Sequence, residues 1–118
     1  MYNQKIVNSC IILIFTNILF ATNCKIEIGS VAPDFSLKNQ NGIVETLSKY
    51  KGKKVAIYFY PKDDTPGCTK EACSIRDNFE ILTEKNIKVF GISYDNQKNH
   101  QKFINKYNLQ FDLLSDLD

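Results

Sequence analysis

Two cysteines stand five residues apart near the middle of the chain, at Cys68 and Cys73. A cysteine thiolate is a strong nucleophile, and a second thiol can condense with an oxidised sulfur to form a disulfide. Cys68 also opens a predicted helix, where unpaired backbone N–H groups and the positive end of the helix dipole favour the thiolate. These residue types and their spacing indicate redox chemistry centred on Cys68.

The spacing of the two cysteines sets a geometric condition on any disulfide between them. On an α-helix, residues i and i+5 have Cα atoms about 8.6 Å apart, and their side chains diverge by roughly 140°. A disulfide needs Cα atoms within about 7 Å of each other. Cys68 and Cys73 therefore either never pair, or the first turn of the helix unwinds when they do.

The residues alone leave other interpretations open. Both cysteines could be buried core residues, because Cys is among the residue types most often buried. A metal site would need more ligands, and the single histidine, His100, lies far along the chain. We expect no metal, and we place His100 in solvent near the start of a second helix. The formal net charge of +2 is too small to indicate a nucleic-acid partner.

The elements that position the cysteines alternate between strands and helices. Residues 55–60 form an apolar run that predicts a central strand buried on both faces. A polar loop at 62–67 follows, and residues 68–86 predict one helix whose apolar face contains Ala72, Ile75, Phe79 and Leu82. Before this strand, a hairpin with its turn at 39–42 and a short helical turn at 46–50 are expected.

The second half of the pattern predicts a buried strand at 87–93 and an amphipathic helix at 96–107, with Phe103, Ile104 and Tyr107 inward. A further strand begins near residues 111–114. Such a series predicts an α/β fold with a parallel sheet. It also places the 62–67 loop at the carboxyl end of a strand, where reaction sites of open α/β sheets lie.

Residues 58–73 read YFYPKDDTPGCTKEAC. This segment resembles the active site of peroxiredoxins, and most of all the bacterioferritin-comigratory-protein type, also called peroxiredoxin Q. Residues 29–37, 91–93 and 113–116 agree as well, so that the resemblance covers about residues 27–118. It implies a thioredoxin-like α/β fold.

The resemblance also implies roles for individual residues. Cys68 matches the peroxide-attacking position and Cys73 the resolving position, so a Cys68–Cys73 disulfide is expected. Thr65 and Pro66 match the peroxide pocket, where the Thr65 hydroxyl can bond to the peroxide and Pro66 can cover the sulfur. The implied substrates are hydrogen peroxide and organic hydroperoxides, and the implied reductant is thioredoxin or a similar dithiol protein. No bound cofactor is implied, and we expect a monomer.

The chain departs from the family pattern near Asp118. Family members continue with further strands, a helix and an arginine that supports the thiolate, so we expect a fold that is incomplete at its C-terminus. We interpret Arg76, the only arginine, as part of a helix-packing ion pair. The alternative function is a catalytically impaired fragment that acts as a redox-sensing or binding module. A dithiol oxidoreductase is disfavoured, because Cys-x-x-Cys spacing is absent.

Residues 1–24 differ from the expected peroxiredoxin domain at 25–118. A short cationic start precedes residues 6–21, which carry no charge, and small or polar residues lead to Cys24. This layout predicts a secretory signal peptide and an extracytoplasmic location, in the periplasm, outside the cell or in an organelle lumen. The alternatives are an uncleaved membrane anchor through residues 6–21, a buried helix, and a lipid anchor on Cys24.

Overall fold

The computed structural model describes residues 26–118. The predicted signal or anchor segment, with Cys10 and Cys24, lies outside these residues. Within residues 26–118, no helix has the length and apolar character needed to cross a membrane.

The described residues fall into two units that divide after Pro33. The short piece at 26–33 contains a turn in which the backbone N–H and the hydroxyl of Ser30 both donate to the carbonyl of Glu27, at 3.1 and 2.6 Å. The second unit, Asp34–Asp118, contains both cysteines of the predicted site. Its elements are β1 (Ser36–Asn39), β2 (Val44–Thr46), a 3-10 helix (Leu47–Tyr50), β3 (Lys54–Phe59), α1 (Pro66–Asp77), α2 (Phe79–Glu84), β4 (Ile87–Ser93), α3 (Gln97–Tyr107) and β5 (Asp112–Ser115).

The strands of the second unit form one five-stranded sheet in the order β2-β1-β5-β4-β3. The three strands joined through helices are parallel, with Ile57 beside Phe90 and Gly91 beside Leu113. The β1–β2 hairpin pairs antiparallel with β5 through Lys38 and Asn39. The predicted parallel α/β arrangement is therefore confirmed, with an antiparallel hairpin added at one edge.

Side chains of the sheet alternate between two apolar clusters, as the pleat requires. Val89 of β4 joins Cys68 and Ala72 of α1 and Phe103 of α3 in the larger cluster. Phe90, the next residue in β4, joins a second cluster on the opposite face. Both helices that follow parallel strands thus pack on one face of the sheet, which places α1 and α3 side by side.

Gly91 marks a close approach inside the larger cluster. A Cβ atom at this position would lie 2.7 Å from Leu113 Cδ2 and 2.8 Å from the Tyr58 hydroxyl oxygen. Real Cβ atoms do not approach other heavy atoms so closely, and only glycine leaves the space that the Tyr58 ring occupies.

The strand before the cysteines differs from its prediction. β3 is the edge strand of the described sheet, and Phe59 near its end is 75% exposed. The apolar run at 55–60 predicted a central strand, but the central positions belong to β5 and β4, whose residues are more fully buried. The predicted burial on both faces is also wrong, because Ala56 and Phe59 are exposed. An apolar run by itself reveals neither the order of the strands nor which side chains other elements cover.

The long helix predicted for residues 68–86 is broken at Asn78. The Asn78 side chain donates to the carbonyl of Ser74 at 2.8 Å, and its backbone N–H bonds to the carbonyls of Ser74 and Ile75. A short polar side chain that competes for backbone groups in this way interrupts a helix. The apolar face still continues across the break, because Ile75, Phe79 and Leu82 all pack on the larger cluster.

Candidate functional site

Cys68 lies in the first turn of α1, as predicted, and α1 begins two residues earlier, at Pro66. The first intrahelical bond runs from the N–H of Thr69 to the carbonyl of Thr65 at 2.8 Å, and the Thr65 side chain does not cap the helix. The backbone N–H groups just before Thr69 are therefore available to a negative charge at Cys68. Cys68 is buried in the larger cluster, with 9% of its surface exposed.

Cys73 lies on the same helix and is half-buried, and both cysteines are free thiols. The helix runs unbroken from Pro66 to Asp77. This is the arrangement in which the two sulfur atoms cannot bridge without unwinding of the chain between them.

Thr65 and Pro66 occupy the start of the Cys68 helix, with Thr65 at the N-cap and Pro66 at the first helical position. The Thr65 hydroxyl donates to the carbonyl of Lys62 at 3.0 Å. Its proton is therefore used within the loop, and its lone pairs remain available to accept a hydrogen bond. Pro66 is exposed beside this hydroxyl. The structure brings Thr65, Pro66 and Cys68 together at one helix end.

The loop that leads to Cys68 is anchored by a buried polar cluster of Tyr60, Asp63 and His100. The Tyr60 hydroxyl donates to Asp63 Oδ1 at 2.6 Å, and His100 Nδ1 lies 2.7 Å from Asp63 Oδ2. His100 is completely buried, so its predicted place in solvent is wrong. The correction has a physical reason: His100 precedes Phe103 by three residues and so shares the inward face of α3.

A second anchor holds the next residue of the loop, Asp64. Its carboxylate accepts from Lys106 Nζ at 2.7 Å and from the Tyr107 hydroxyl at 2.7 Å. These two bonds lower the pKa of Asp64 below its ordinary value. Asp64 has a φ of 57°, a conformation that aspartate adopts more readily than most residues. The end of α3 therefore helps to fix the backbone that turns into α1.

Two stacked tyrosines line the larger cluster beneath α1. The rings of Tyr58 and Tyr60 have centroids 5.3 Å apart. Burial raises the pKa of Tyr58, and the negative charges of Glu71 and Asp63 add to that shift. Burial also raises the pKa of Tyr60, together with its hydrogen bond to Asp63. The Tyr58 hydroxyl is buried, and no group of residues 26–118 forms a hydrogen bond with it. Both phenols therefore remain protonated at neutral pH.

Arg76 lies in the last turn of α1, away from the helix end that carries Cys68. Its Nε donates to Asp77 at 2.9 Å, and an NH1 proton goes to the carbonyl of Tyr107 at 2.9 Å. The second of these contacts ties α1 to the end of α3. The predicted ion pair of Arg76 is present, but it lies within α1, and the contact that packs α1 against α3 is the hydrogen bond to the Tyr107 carbonyl.

Two cavities, of about 270 and 240 Å³, open near the loop. The first is lined by residues from the ends of β3 and β4, including Tyr60 and Tyr94, and the second by loop residues with Lys102 and Lys106 of α3. Cys68 lines neither cavity, so the helix start itself is the candidate site.

Among residues 26–118, no group of histidine, cysteine and acidic side chains has the arrangement of a metal site.

The anchoring residues Asp63, Asp64, His100, Lys106 and Tyr107 were not identified as part of the site from sequence. A signal existed for His100, since the helical period that marked Phe103 and Tyr107 includes it. The two aspartates carried no such signal. Their partners lie 37 to 43 residues further along the chain, and only the packing of α3 beside α1 brings them together.

The AhpC/TSA family matches residues 28–118 of the chain. Among curated relatives, a bcp-type protein of Coxiella burnetii is 56% identical over 93 residues, which are 79% of this chain and 62% of the relative. "Peroxiredoxin Q, chloroplastic" of Triticum aestivum is 52% identical over 92 residues, covering 78% of this chain and 42% of the relative. The chain thus spans less than two thirds of the length of these relatives.

Solved structures agree with the sequence comparison. Peroxidoxin BcpB of Mycobacterium tuberculosis is 36% identical with a TM-score of 0.73, and the match covers 78% of this chain and 60% of the other. A cysteine-to-serine mutant of PrxQ from Xylella fastidiosa is 31% identical with a TM-score of 0.74, covering 80% and 62%. The predicted thioredoxin-like α/β fold is confirmed by these similarities.

Proposed function

This chain belongs to the AhpC/TSA family, and from that premise we propose that it is a thiol-dependent peroxidase of the peroxiredoxin Q type. The observation that supports the proposal most strongly is the position of Cys68 in the first turn of α1, with the free thiol of Cys73 on the same helix. Hydrogen peroxide and organic hydroperoxides are the proposed substrates.

In the first step, the Cys68 thiolate attacks one oxygen of the peroxide and the O–O bond breaks. The sulfur becomes a sulfenic acid, and the other oxygen leaves as water or an alcohol after it takes up a proton. The free N–H groups at the start of α1 stabilise negative charge at this end of the helix. The Thr65 hydroxyl accepts a hydrogen bond from the peroxide O–H, because its own proton is donated to Lys62.

In the second step, the Cys73 thiol attacks the Cys68 sulfur, an S–S bond forms and the sulfenic oxygen leaves as water. This step requires the first turns of α1 to unwind, since an intact helix holds the Cα atoms about 8.6 Å apart. Asp63 and Asp64 remain bound to α3 on one side of the unwound segment, and Arg76 remains bound on the other.

A dithiol protein such as thioredoxin then reduces the disulfide by thiol–disulfide exchange and returns Cys68 to its thiolate form. The reaction needs no bound cofactor, because all electrons pass through sulfur atoms. The proposed catalytic set is Cys68, Cys73, Thr65 and Pro66, with Pro66 shielding the sulfur from water.

The test is consumption of hydrogen peroxide by the purified chain, coupled to thioredoxin and its reductase. The wild-type chain should turn over, and Cys68→Ser should lose all turnover. Ser74→Ala, an exposed change on the same helix, is a matched control that should keep it. Oxidation of Cys68 without thioredoxin-dependent turnover would contradict the peroxidase proposal and favour a redox-sensing module.

We also propose that residues 1–24 direct the domain at 25–118 out of the cytoplasm or into an organelle. The support is the uncharged stretch at 6–21 after a cationic start, and the plant relatives are named chloroplastic. Mass spectrometry of the protein recovered from its native source tests this. A mature chain that begins near residue 25 agrees with a cleaved signal, whereas a chain that retains residues 1–24 contradicts it.

A further inference from the structure

The buried cluster of Tyr60, Asp63 and His100 contains polar groups that the proposed chemistry does not use. His100 is fully buried, and Tyr60 and Asp63 are 5% and 8% exposed. Burial of a carboxylate and an imidazole is costly unless each is paired and hydrogen-bonded. We therefore ask what function the cluster serves directly before the Cys68 helix.

The hydrogen-bond partners of His100 determine its protonation. Nε2 lies 3.2 Å from the carbonyl oxygen of Leu114, which can only accept, so this nitrogen donates. Nδ1 lies 2.7 Å from Asp63 Oδ2, whose other oxygen already accepts from the Tyr60 hydroxyl. With Asp63 as a carboxylate, both ring nitrogens would donate, and His100 would be an imidazolium paired with Asp63.

The charged and titratable neighbours of the pair are consistent with this state. Asp95, which follows β4, accepts the Asp63 backbone N–H on Oδ2 at 2.7 Å and places a second carboxylate beside the Asp63 backbone. The Tyr60 hydroxyl also lies 3.5 Å from His100 Nδ1. Lys102 and Lys106 line the neighbouring cavity together with Asp63. The Asp63 side of the pair is thus fixed through its backbone by Asp95 and through its side chain by His100.

We propose that His100 is a positioning residue for the Cys68 site: its imidazolium, through Asp63, holds the loop that sets the start of the Cys68 helix. Asp63 lies two residues before the helix N-cap at Thr65. His100 joins that loop to α3 and, through Leu114, to β5. The loop thus keeps its position while the first turns of α1 unwind and refold. This inference rests on the proposed peroxidase function.

Two substitutions separate the two bonds of His100. In His100→Asn, the side-chain amide nitrogen occupies the place of Nδ1 and can still donate to Asp63, but the bond to Leu114 is lost. In His100→Gln, the amide nitrogen reaches the place of Nε2 and can donate to Leu114, but the bond to Asp63 is lost. Both substitutions remove the ring from the same core site, and the shorter asparagine leaves the larger void, so a simple packing defect would affect His100→Asn at least as much as His100→Gln.

The measured quantity is the rate constant for oxidation of Cys68 by hydrogen peroxide in a Cys73→Ser background. His100→Gln should lower it at least about tenfold, because a displacement of reacting groups by about 1 Å can cost up to about 100-fold. His100→Asn should stay within about threefold of the parent on the same scale. An unchanged rate in His100→Gln, or an equal loss in both variants, would overturn the proposal.

Nitrogen-15 NMR of the wild-type protein tests the same claim without any substitution. His100 is the only histidine of the chain, so its ring nitrogens are the only imidazole signals. Protonation of both nitrogens at neutral pH is expected, and a single protonated nitrogen would overturn the charged pair. This measurement also tests the charged His100–Asp63 pair if neither variant folds.

A failure of the peroxidase proposal can be distinguished from a failure of the positioning proposal. If wild-type Cys68 does not react with peroxide, the peroxidase proposal fails. The variants are then compared by the rate at which iodoacetamide alkylates Cys68. His100→Gln should still differ from the wild type while His100→Asn does not, and equal rates in all three proteins would overturn the positioning role.

Discussion

Removal of one hydroxyl from each of the two stacked tyrosines should have opposite effects on stability. The Tyr60 hydroxyl donates to the buried carboxylate of Asp63 at 2.6 Å. The Tyr58 hydroxyl is buried without a hydrogen-bond partner in the part of the chain that the structure describes. The same substitution, tyrosine to phenylalanine, therefore removes a strong bond at one position and an unsatisfied polar group at the other.

The expected magnitudes follow from these contacts. Tyr60→Phe leaves the Asp63 carboxylate without one of its donors, and loss of a hydrogen bond to a charged group costs about 1.5–3 kcal/mol. Tyr58→Phe should be neutral or raise the free energy of unfolding by up to about 1 kcal/mol, since the hydroxyl has lost its water without gaining a partner. The two variants should therefore differ by about 1.5–4 kcal/mol in the free energy of unfolding.

Urea unfolding followed by circular dichroism measures this difference. With an m value of roughly 1.5 kcal/mol/M, a loss of about 2 kcal/mol lowers the unfolding midpoint of Tyr60→Phe by about 1.3 M. The Tyr58→Phe midpoint should stay at or above that of the wild type. In an Asp63→Asn background, Tyr60→Phe should cost less because its partner is no longer charged. Equal destabilisation by the two single variants would refute the reasoning.

Three further predictions concern other parts of the domain. Burial and Glu45 raise the pKa of Tyr50 from 10.0 to about 12, so the folded state retains a proton that the unfolded state loses. Its contribution to stability is complete below pH 10 and is lost as pH rises to about 12; urea unfolding across this range should show a smaller loss in Tyr50→Phe. Gly91→Ala should lower the free energy of unfolding by about 1–3 kcal/mol, because the new Cβ overlaps Leu113 and the tyrosine beside it, and an unchanged urea midpoint would contradict this. Gly67→Ala, whose Cβ meets nothing within 4 Å, should stabilise the first turn by up to about 1 kcal/mol and slow closure of the disulfide to Cys73 by roughly twofold to fivefold. Stopped-flow measurement should show no slowing of the preceding sulfenic acid step, and faster disulfide closure would contradict the unwinding requirement.

The parts of the fold with local signals could be predicted from the sequence. The mostly apolar residues at 87–93, interrupted only by Lys88 before the final serine, coincide with β4, and the spacing of Phe103 and Tyr107 identified the inward face of α3. Cys68 was placed in the first turn of a helix because apolar residues recur at helical spacing after a polar loop, and the helix in fact begins two residues earlier, at Pro66. Each of these features depends on residues that are neighbours along the chain.

The features that could not be predicted depend on contacts between distant segments. The edge position of β3 is a property of strand order, which its own residues do not specify. The break at Asn78 depends on whether the Asn78 side chain forms a hydrogen bond with the Ser74 carbonyl or with solvent. The burial of His100 is stabilised by Asp63, which lies 37 residues earlier. A polar residue of this kind is predicted to be exposed unless its buried hydrogen-bond partner is known.

The central claim is that Cys68 reacts with peroxide and Cys73 then resolves it by a disulfide that requires α1 to unwind. Trypsin cleaves after Lys70, between the two cysteines, so mass spectrometry can detect the disulfide as a link between peptides 63–70 and 71–76. After one equivalent of hydrogen peroxide, we predict this link in the wild-type protein and a trapped sulfenic acid on Cys68 in Cys73→Ser. A sulfenic acid on Cys73, or reduced Cys68 with both peptides unlinked, would contradict it.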